Sequence, residues 1–156
     1  MSIQRVRAYL APYGAAERIR EFEVSSATVE LAARAAGVEP GRIAKSLGFK
    51  LDGRTILVVA GGDVSIDNAK YKACFGGKAA MLTPDEAVER VGHAVGGVCP
   101  FAVNEGVEVC LDQSLRRFET VLPAAGSANS CIELTLEELE RFARTTRWVD
   151  VCRPRQ

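Results

Sequence analysis

The sequence contains a single histidine, His93, and aromatic residues make up only 6% of the chain. Its five cysteines include no Cys-x-x-Cys pair, so neither a zinc ribbon nor a secreted disulfide framework is indicated. The motifs of zinc hydrolases, P-loop nucleotidases and dinucleotide-binding folds are also missing. We therefore expect mostly buried thiols in a reducing cytoplasm, with no metal and no cofactor.

Net charge and long apolar runs are lacking as well. The 20 basic residues are balanced by 20 acidic ones, so the diffuse positive surface of a nonspecific DNA-binding protein is not expected. No stretch approaches the length needed to span a bilayer. The sequence predicts a soluble, cytoplasmic protein that binds neither DNA nor a membrane.

What the chain does contain is enough apolar sequence for a core. Hydrophobic residues make up 47% of the 156 residues, which suits one domain spanning residues 1–156. Helical and strand patterns follow one another without a repeat or a linker. We expect an α+β fold, in which helices flank a mixed β-sheet.

Several element boundaries can be predicted from local chemistry. Asp52-Gly53 separates two apolar segments and predicts a β-hairpin. The segment 83–86, Thr-Pro-Asp-Glu, is a capping box that begins a helix reaching Val91, and a second box begins at Thr135. Residues 79–82 are expected to form a brief strand.

The segment 95–101, Val-Gly-Gly-Val-Cys-Pro-Phe, is the most unusual stretch of the chain. It cannot form a helix interior, because paired glycines are unfavourable there and Pro100 lacks an N–H group. We predict a stiff loop whose backbone N–H and C=O groups can bind a small polar ligand. A buried turn between two core elements is the alternative interpretation.

Two further positions could carry chemistry. Cys99 follows His93 closely enough for a thiol–imidazole dyad, although a lone histidine after a helix is more often a packing residue. Lys45 interrupts an apolar strand segment, and its ammonium group could meet a phosphate or a developing oxyanion. A lysine on the solvent face of a strand is the alternative for Lys45.

Four motifs follow one another along the chain. They are Arg-Ile-Ala-Lys-Ser at 42–46, Ile-Asp-Asn-Ala-Lys-Tyr-Lys at 66–72, the glycine-rich segment 96–101, and the segment 123–139, which begins Pro-Ala-Ala-Gly-Ser. Together they resemble the YbaK/EbsC family of aminoacyl-tRNA deacylases, relatives of the editing domain of bacterial prolyl-tRNA synthetase. The resemblance runs from about Thr28 to Phe142 and implies a partly barrel-like, mixed β-sheet with flanking helices.

The resemblance also implies an activity. Family members are trans-editing hydrolases that remove a small amino acid, such as Cys, Ala or Ser, from the acceptor end of a mischarged tRNA, typically tRNA(Pro). A cognate aminoacyl-tRNA synthetase is the second partner that it suggests. The family lysine that matches Lys45 holds the 3′ end of the tRNA near the ester, and Ser46 stands where a small hydroxyl residue commonly follows.

Two loops complete the site that the resemblance implies. The first brackets the aminoacyl group with its backbone and comprises Gly96, Gly97, Val98, Cys99 and Pro100. The second helps to close the pocket and comprises Gly126, Ser127, Asn129 and Ser130. No protein nucleophile is required, because an aminoacyl ester is already activated and hydrolysis needs mainly positioning and oxyanion stabilisation.

Two other functions stay open at this level: a binding module for tRNA or aminoacyl-adenosine that has lost turnover, and a thiol hydrolase using Cys99 and His93. Many family members carry serine at position 99 and an aromatic residue at position 93, so the amino acid removed is also open. Since the net charge is zero, tRNA binding requires local cations beside the pocket. The candidates are Arg42, Lys45, Lys50, Lys70 and Lys72.

Overall fold

The computed structural model describes residues 2–155, in which helices and strands are interspersed along the chain. The helices are α1 (Ser2–Leu10), α2 (Val29–Ala36), α3 (Asn68–Phe75), α4 (Pro84–Glu86) and α5 (Leu136–Phe142). The strands are β1 (Arg20–Glu21), β2 (Ile43–Leu51), β3 (Arg54–Gly61), β4 (Val64–Ile66), β5 (Glu108–Asp112), β6 (Thr120–Pro123), β7 (Ser130–Cys131), β8 (Leu134–Thr135), β9 (Arg147–Val149) and β10 (Cys152–Pro154). None of the helices in residues 2–155 is long and apolar enough to cross a membrane.

Six strands form the main sheet, in the order β8-β6-β2-β3-β5-β9. Strand β2 is antiparallel to β3 but parallel to β6, and β3–β5 and β5–β9 are also parallel pairs. The sheet curls into a half-barrel, and two short antiparallel pairs, β1–β7 and β4–β10, lie outside it. The predicted α+β fold with a mixed, partly barrel-like sheet is confirmed.

Strand β3 separates two apolar clusters. Its alternating side chains belong to different clusters, because successive residues of a strand point to opposite faces. Leu57 and Val59 belong to the cluster that contains α1 and α5, whereas Ile56 and Val58 belong to the cluster that contains α3. All four are fully buried. The five cysteines are free thiols, and all except Cys74 are buried, as predicted.

Local chemistry predicted the turns and helix starts well. Asp52 and Gly53 both have positive φ angles, 48° and 80°, which is the conformation of a two-residue hairpin turn between β2 and β3. Both capping boxes are present, at Thr83 and at Thr135. The hairpin and the two helix starts are therefore confirmed.

The chain on either side of α4 differs from the prediction. Residues 79–82 form no strand, but a single bridge between Met81 and Phe49, because only two backbone hydrogen bonds join this segment to β2. After α4 the chain continues as a π-helical turn, Ala87–Val91, which ends at Gly92. Ala87 and Val91 of this turn line a pocket beside β2.

The capping box at Thr83 provides a test of how the π-helical turn is anchored. Thr83→Ala removes the oxygen that accepts from the Glu86 N–H at 3.2 Å, so the free energy of unfolding should fall by about 1 kcal/mol. Thr83→Ser keeps that acceptor and should remain within about 0.5 kcal/mol of wild type. Urea denaturation followed by circular dichroism measures both changes, and equal stability of the three proteins would refute a stabilising role for the box.

Candidate functional site

A pocket of about 300 Å³ opens beside the first half of β2. Its other walls are the start of α2, the π-helical turn, the glycine-rich loop and the connection from β6 to β7. Five of the residues predicted from the sequence line this pocket: Lys45, Ser46, Gly96, Val98 and Ser130. The structure thus brings the lysine motif and both predicted loops to one place.

Among residues 2–155, the edge of β2 that faces the pocket has no pairing strand between Ala44 and Gly48, whereas the opposite edge pairs with β3. Strand β6 pairs only with Ile43 and Ala44, and the segment 80–82 bonds to β2 only at Gly48 and Lys50. Ser46 lies between these two contacts and directs its backbone N–H and C=O to the same edge, because alternate residues of a strand share an edge. An open strand edge therefore faces the pocket and can hydrogen-bond a ligand.

Lys45 is half-buried at the pocket and donates a hydrogen bond from Nζ to the carbonyl of Val64. Burial lowers the pKa of Lys45, and the positive charge of Arg155 lowers it further. Within residues 2–155 this ammonium forms no ion pair. An ammonium group has three N–H donors, so Lys45 retains donors for an anionic or carbonyl group in the pocket.

The Ser46 hydroxyl, unlike the Lys45 ammonium, has no hydrogen-bond partner among residues 2–155. Its Oγ is buried and makes no hydrogen bond within the described part of the chain. Leaving such a group unsatisfied costs roughly 1–3 kcal/mol. Although Ser46 lines the pocket, its Oγ is shielded, so its backbone rather than its hydroxyl is the group open to a ligand.

The two predicted loops pack directly against each other. A Cβ added to Gly97 would lie 2.8 Å from the carbonyl carbon of Gly126 and from the backbone nitrogen of Ser127. Only glycine allows backbone segments to approach this closely. Gly96 has a φ of 95°, a conformation that glycine adopts readily, and its N-terminal neighbour Val95 is exposed at the pocket rim.

The remaining six predicted residues lie outside the lining of the pocket. They comprise Gly97, Cys99, Pro100, Gly126, Ser127 and Asn129. The Ser127 hydroxyl hydrogen-bonds to the side chains of Asn129, at 2.9 Å, and Ser130, at 2.7 Å. The Asn129 amide donates to the Phe22 carbonyl. These contacts fix the shape of the second loop.

The geometry does not support the alternative of a Cys99–His93 dyad. Both side chains are 0% exposed, so a substrate cannot reach them. Since a carbonyl only accepts, His93 Nε2 must carry the proton in its 2.7 Å bond to the Phe101 carbonyl, and it cannot act as base for the Cys99 thiol 3.6 Å away. Burial lowers the pKa of His93 and raises that of Cys99 to about 12, which keeps both groups neutral.

Sequence reasoning missed much of the pocket wall. Thr28 and Val29 at the start of α2, Leu82, and the π-helical turn all line it, but only long-range packing brings them there. Cys131 also lines the pocket, and burial raises its pKa to about 11, so it is a neutral thiol. The small-residue loop before Cys131 was the only local signal that pointed toward it.

The cations that were expected beside the pocket are mostly paired. Arg42 bonds to Glu133 at 2.9 Å, Lys50 to Glu86 at 2.7 Å and Lys70 to Asp150 at 3.1 Å. Among residues 2–155, Lys45 and Lys72 are the two of the five that form no ion pair. Three of these five candidate cations are therefore already paired with carboxylates.

One small pocket of this α+β protein combines a lysine, an open strand edge, the glycine-rich loop and the second loop. Such a pocket is suited to binding a small polar group. A model of the aminoacyl-tRNA editing domain matches residues 23–142. The chain belongs to that family, and the resemblance inferred from its motifs is confirmed.

Similar proteins agree with this assignment. The chain is 51% identical over 154 residues to the uncharacterized protein YwhH of Bacillus subtilis, covering 98% of each. It is 33% identical over 90 residues to a proline–tRNA ligase of Geobacillus, but covers only 16% of that enzyme. A solved structure described as a candidate trans-editing enzyme for prolyl tRNA synthetase superimposes with a TM-score of 0.88 at 30% identity, covering 97% of each chain.

The buried His93 predicts a pH dependence of stability. Because its pKa is lowered in the folded protein, the unfolded chain binds a proton first, near pH 6.5. The free energy of unfolding should therefore fall as the pH drops through 6.5, by at most about 1.4 kcal/mol per pH unit, until the folded-state pKa is passed. Urea denaturation at pH 7.5, 6.5 and 5.5 measures this fall.

His93→Gln is the matched control, since glutamine can donate to the Phe101 carbonyl but does not titrate. This variant should lack the part of the pH dependence that His93 contributes. Glu86 and Glu138, each with a pKa lowered to about 2, lose their contributions in a more acidic range. The same pH dependence in both proteins between pH 7.5 and 5.5 would contradict the assignment.

Proposed function

We propose that this protein is a trans-editing hydrolase that removes a small amino acid from mischarged tRNA, and that alanine on tRNA(Pro) is the substrate to test first. One observation carries the proposal: in a member of the aminoacyl-tRNA editing family, Lys45, the open edge of β2 and the glycine-rich loop meet at one small pocket. The similarity to proline–tRNA ligases and to the candidate trans-editing enzyme supports the choice of tRNA(Pro).

The size and walls of the pocket support a small substrate group. Its volume of about 300 Å³ is at the lower end of the range of roughly 300–1,000 Å³ for ligand pockets. Leu82, Ala87, Val91 and Val98 form apolar parts of the wall, which favours alanine or cysteine over a charged amino acid. Because a hydrophobic pocket discriminates only weakly against a substrate that adds a hydroxyl group, serine is expected to be hydrolysed too, at a lower rate.

The proposed reaction assigns each polar group a part. The Lys45 ammonium binds the 3′ end of the tRNA, and the backbone of Ser46 and Gly96 holds the aminoacyl group. A water oxygen attacks the ester carbon, and the ribose oxygen leaves with a proton, so that a free amino acid and an intact tRNA result. The neutral Cys131 thiol and the buried His93 take no part, in keeping with catalysis by positioning and oxyanion stabilisation.

The acceptor end is the part of the tRNA that this site can reach. Arg42, Lys50 and Lys70 are already paired with carboxylates, so these three cations are expected to add little affinity for tRNA phosphates. A cognate aminoacyl-tRNA synthetase could supply that affinity by holding the same tRNA. Addition of prolyl-tRNA synthetase to an assay of alanine release from Ala-tRNA(Pro) tests this partner.

Lys45→Ala should reduce hydrolysis of Ala-tRNA(Pro) by about tenfold or more, because a hydrogen bond to a charged group contributes about 1.5–3 kcal/mol. Release of radiolabelled alanine measures the rate. Lys78→Ala is the matched control, since within residues 2–155 Lys78 is exposed, forms no ion pair and does not line the pocket. It should hydrolyse within about twofold of wild type.

Cys99→Ser separates this mechanism from a thiol hydrolase. The variant should keep most of the activity under the proposed mechanism and lose it if Cys99 is the nucleophile. Alanine, cysteine and serine on the same tRNA define the preferred amino acid. Tight binding of the charged tRNA with release at the buffer rate would identify a binding module instead, and would overturn the proposed hydrolase.

A further inference from the structure

Helix α1 lies outside the residues matched by the family model, which begin at 23. It nevertheless contacts the second loop at Gly126 and, through Arg5, the two ends of the segment that contains the glycine-rich loop. A Cβ added to Gly126 would lie 2.8 Å from the Ser2 carbonyl oxygen and 2.9 Å from Val6 Cγ2. Val6 and Leu10 are fully buried in the cluster that also contains Cys99 and Phe101. Helix α1 is therefore packed directly against the second loop, at a glycine that does not itself line the pocket.

Arg5 extends from this helix to the base of the first loop. Its Nη1 donates to the Gly92 carbonyl at 3.0 Å, and its Nη2 donates to the Ala102 carbonyl at 2.9 Å. These two carbonyls mark the beginning and end of the segment 92–102, which contains the glycine-rich loop. Because the guanidinium group is planar and rigid, one side chain fixes the distance between the two ends.

The Ala102 end of this segment is in a strained conformation. Gly92 and Ala102 have positive φ angles, 101° and 54°, and for alanine this conformation costs roughly 1–2 kcal/mol. One residue further into the segment from each end, His93 Nε2 donates to the Phe101 carbonyl at 2.7 Å. The loop is thus closed at three successive levels: by Asn104, whose backbone N–H donates to the Val91 carbonyl at 2.9 Å, by Arg5 at the surface and by His93 in the core.

We infer that Arg5 is a positioning residue for the candidate site: by joining the carbonyls of Gly92 and Ala102 it holds Gly96 and Val98 at the pocket wall. This inference rests on the proposed function. Arg5 does not line the pocket, so it acts only through the loop. Its removal should widen the base of the loop and weaken the binding of the aminoacyl group, while the tRNA contact made by Lys45 remains.

Arg5→Ala should lower kcat/KM for Ala-tRNA(Pro) by about tenfold, which corresponds to about 1.4 kcal/mol, and leave the Kd for uncharged tRNA unchanged. Arg5→Lys can reach only one of the two carbonyls at a time and should lie between Arg5→Ala and wild type. Millimolar ethylguanidinium should restore part of the activity of Arg5→Ala, because it can occupy the position of the missing group. A role in overall stability alone predicts no such rescue.

Arg7→Ala is the matched control, because Arg7 lies on the same helix but bonds to Glu21, at 3.0 Å, and not to the loop. It should keep wild-type kinetics and show no response to ethylguanidinium. Wild-type kinetics in Arg5→Ala, together with loss of activity in Lys45→Ala, would overturn the role of Arg5 while the proposed function stands.

Hydrogen exchange tests the same inference without any substrate. Peptides covering residues 92–102 should exchange faster in Arg5→Ala than in wild type or Arg7→Ala, while peptides from β3 should be unchanged. This result would support the role of Arg5 in the loop even if no hydrolysis is found and the proposed function fails. Unchanged exchange in residues 92–102 would overturn the inference whatever the substrate proves to be.

Discussion

Strands β2 and β6 separate after the pair Ala44–Pro123, and the pocket depends on that separation. Proline has no N–H group and a fixed φ, so a strand pairing readily ends at such a residue. The chain then turns toward β7, where Ala124 bridges to Cys131. The edge of β2 is left open between Ala44 and Gly48, where Ser46 faces the pocket. The lysine, the free backbone groups and the apolar walls can meet only because this edge has no neighbouring strand.

The two ends of the described chain support the polar parts of this site. Strand β10 pairs with β4, and Val64 in β4 accepts the hydrogen bond from Lys45. Helix α1 packs under the second loop at Gly126, and its Arg5 side chain holds the ends of the first. Both α1 and β10 lie outside the segment that carries the family motifs. The motifs therefore specify the pocket, while flanking segments with less recognisable sequences fix its shape.

The features that the sequence predicted correctly depend on neighbouring residues. The turn at Asp52-Gly53 and the box at Thr83 each need only a few adjacent side chains and their backbone, so their chemistry can be recognised locally. The single bridge at Met81 and the burial of Cys99 depend on distant parts of the chain. Arg5 gave no local signal at all, because its partners lie some 90 residues away.

His93 is the only side chain of this protein with an ordinary pKa near neutrality, and the fold uses it as a structural donor inside the loop. Cys131, which lines the pocket, is a neutral thiol. Under the proposed function, catalysis would come from positioned backbone groups and one ammonium. A misplacement of 1 Å can cost about 100-fold in rate. The contacts that close the loop are therefore as important to the proposed chemistry as the residues that face the substrate.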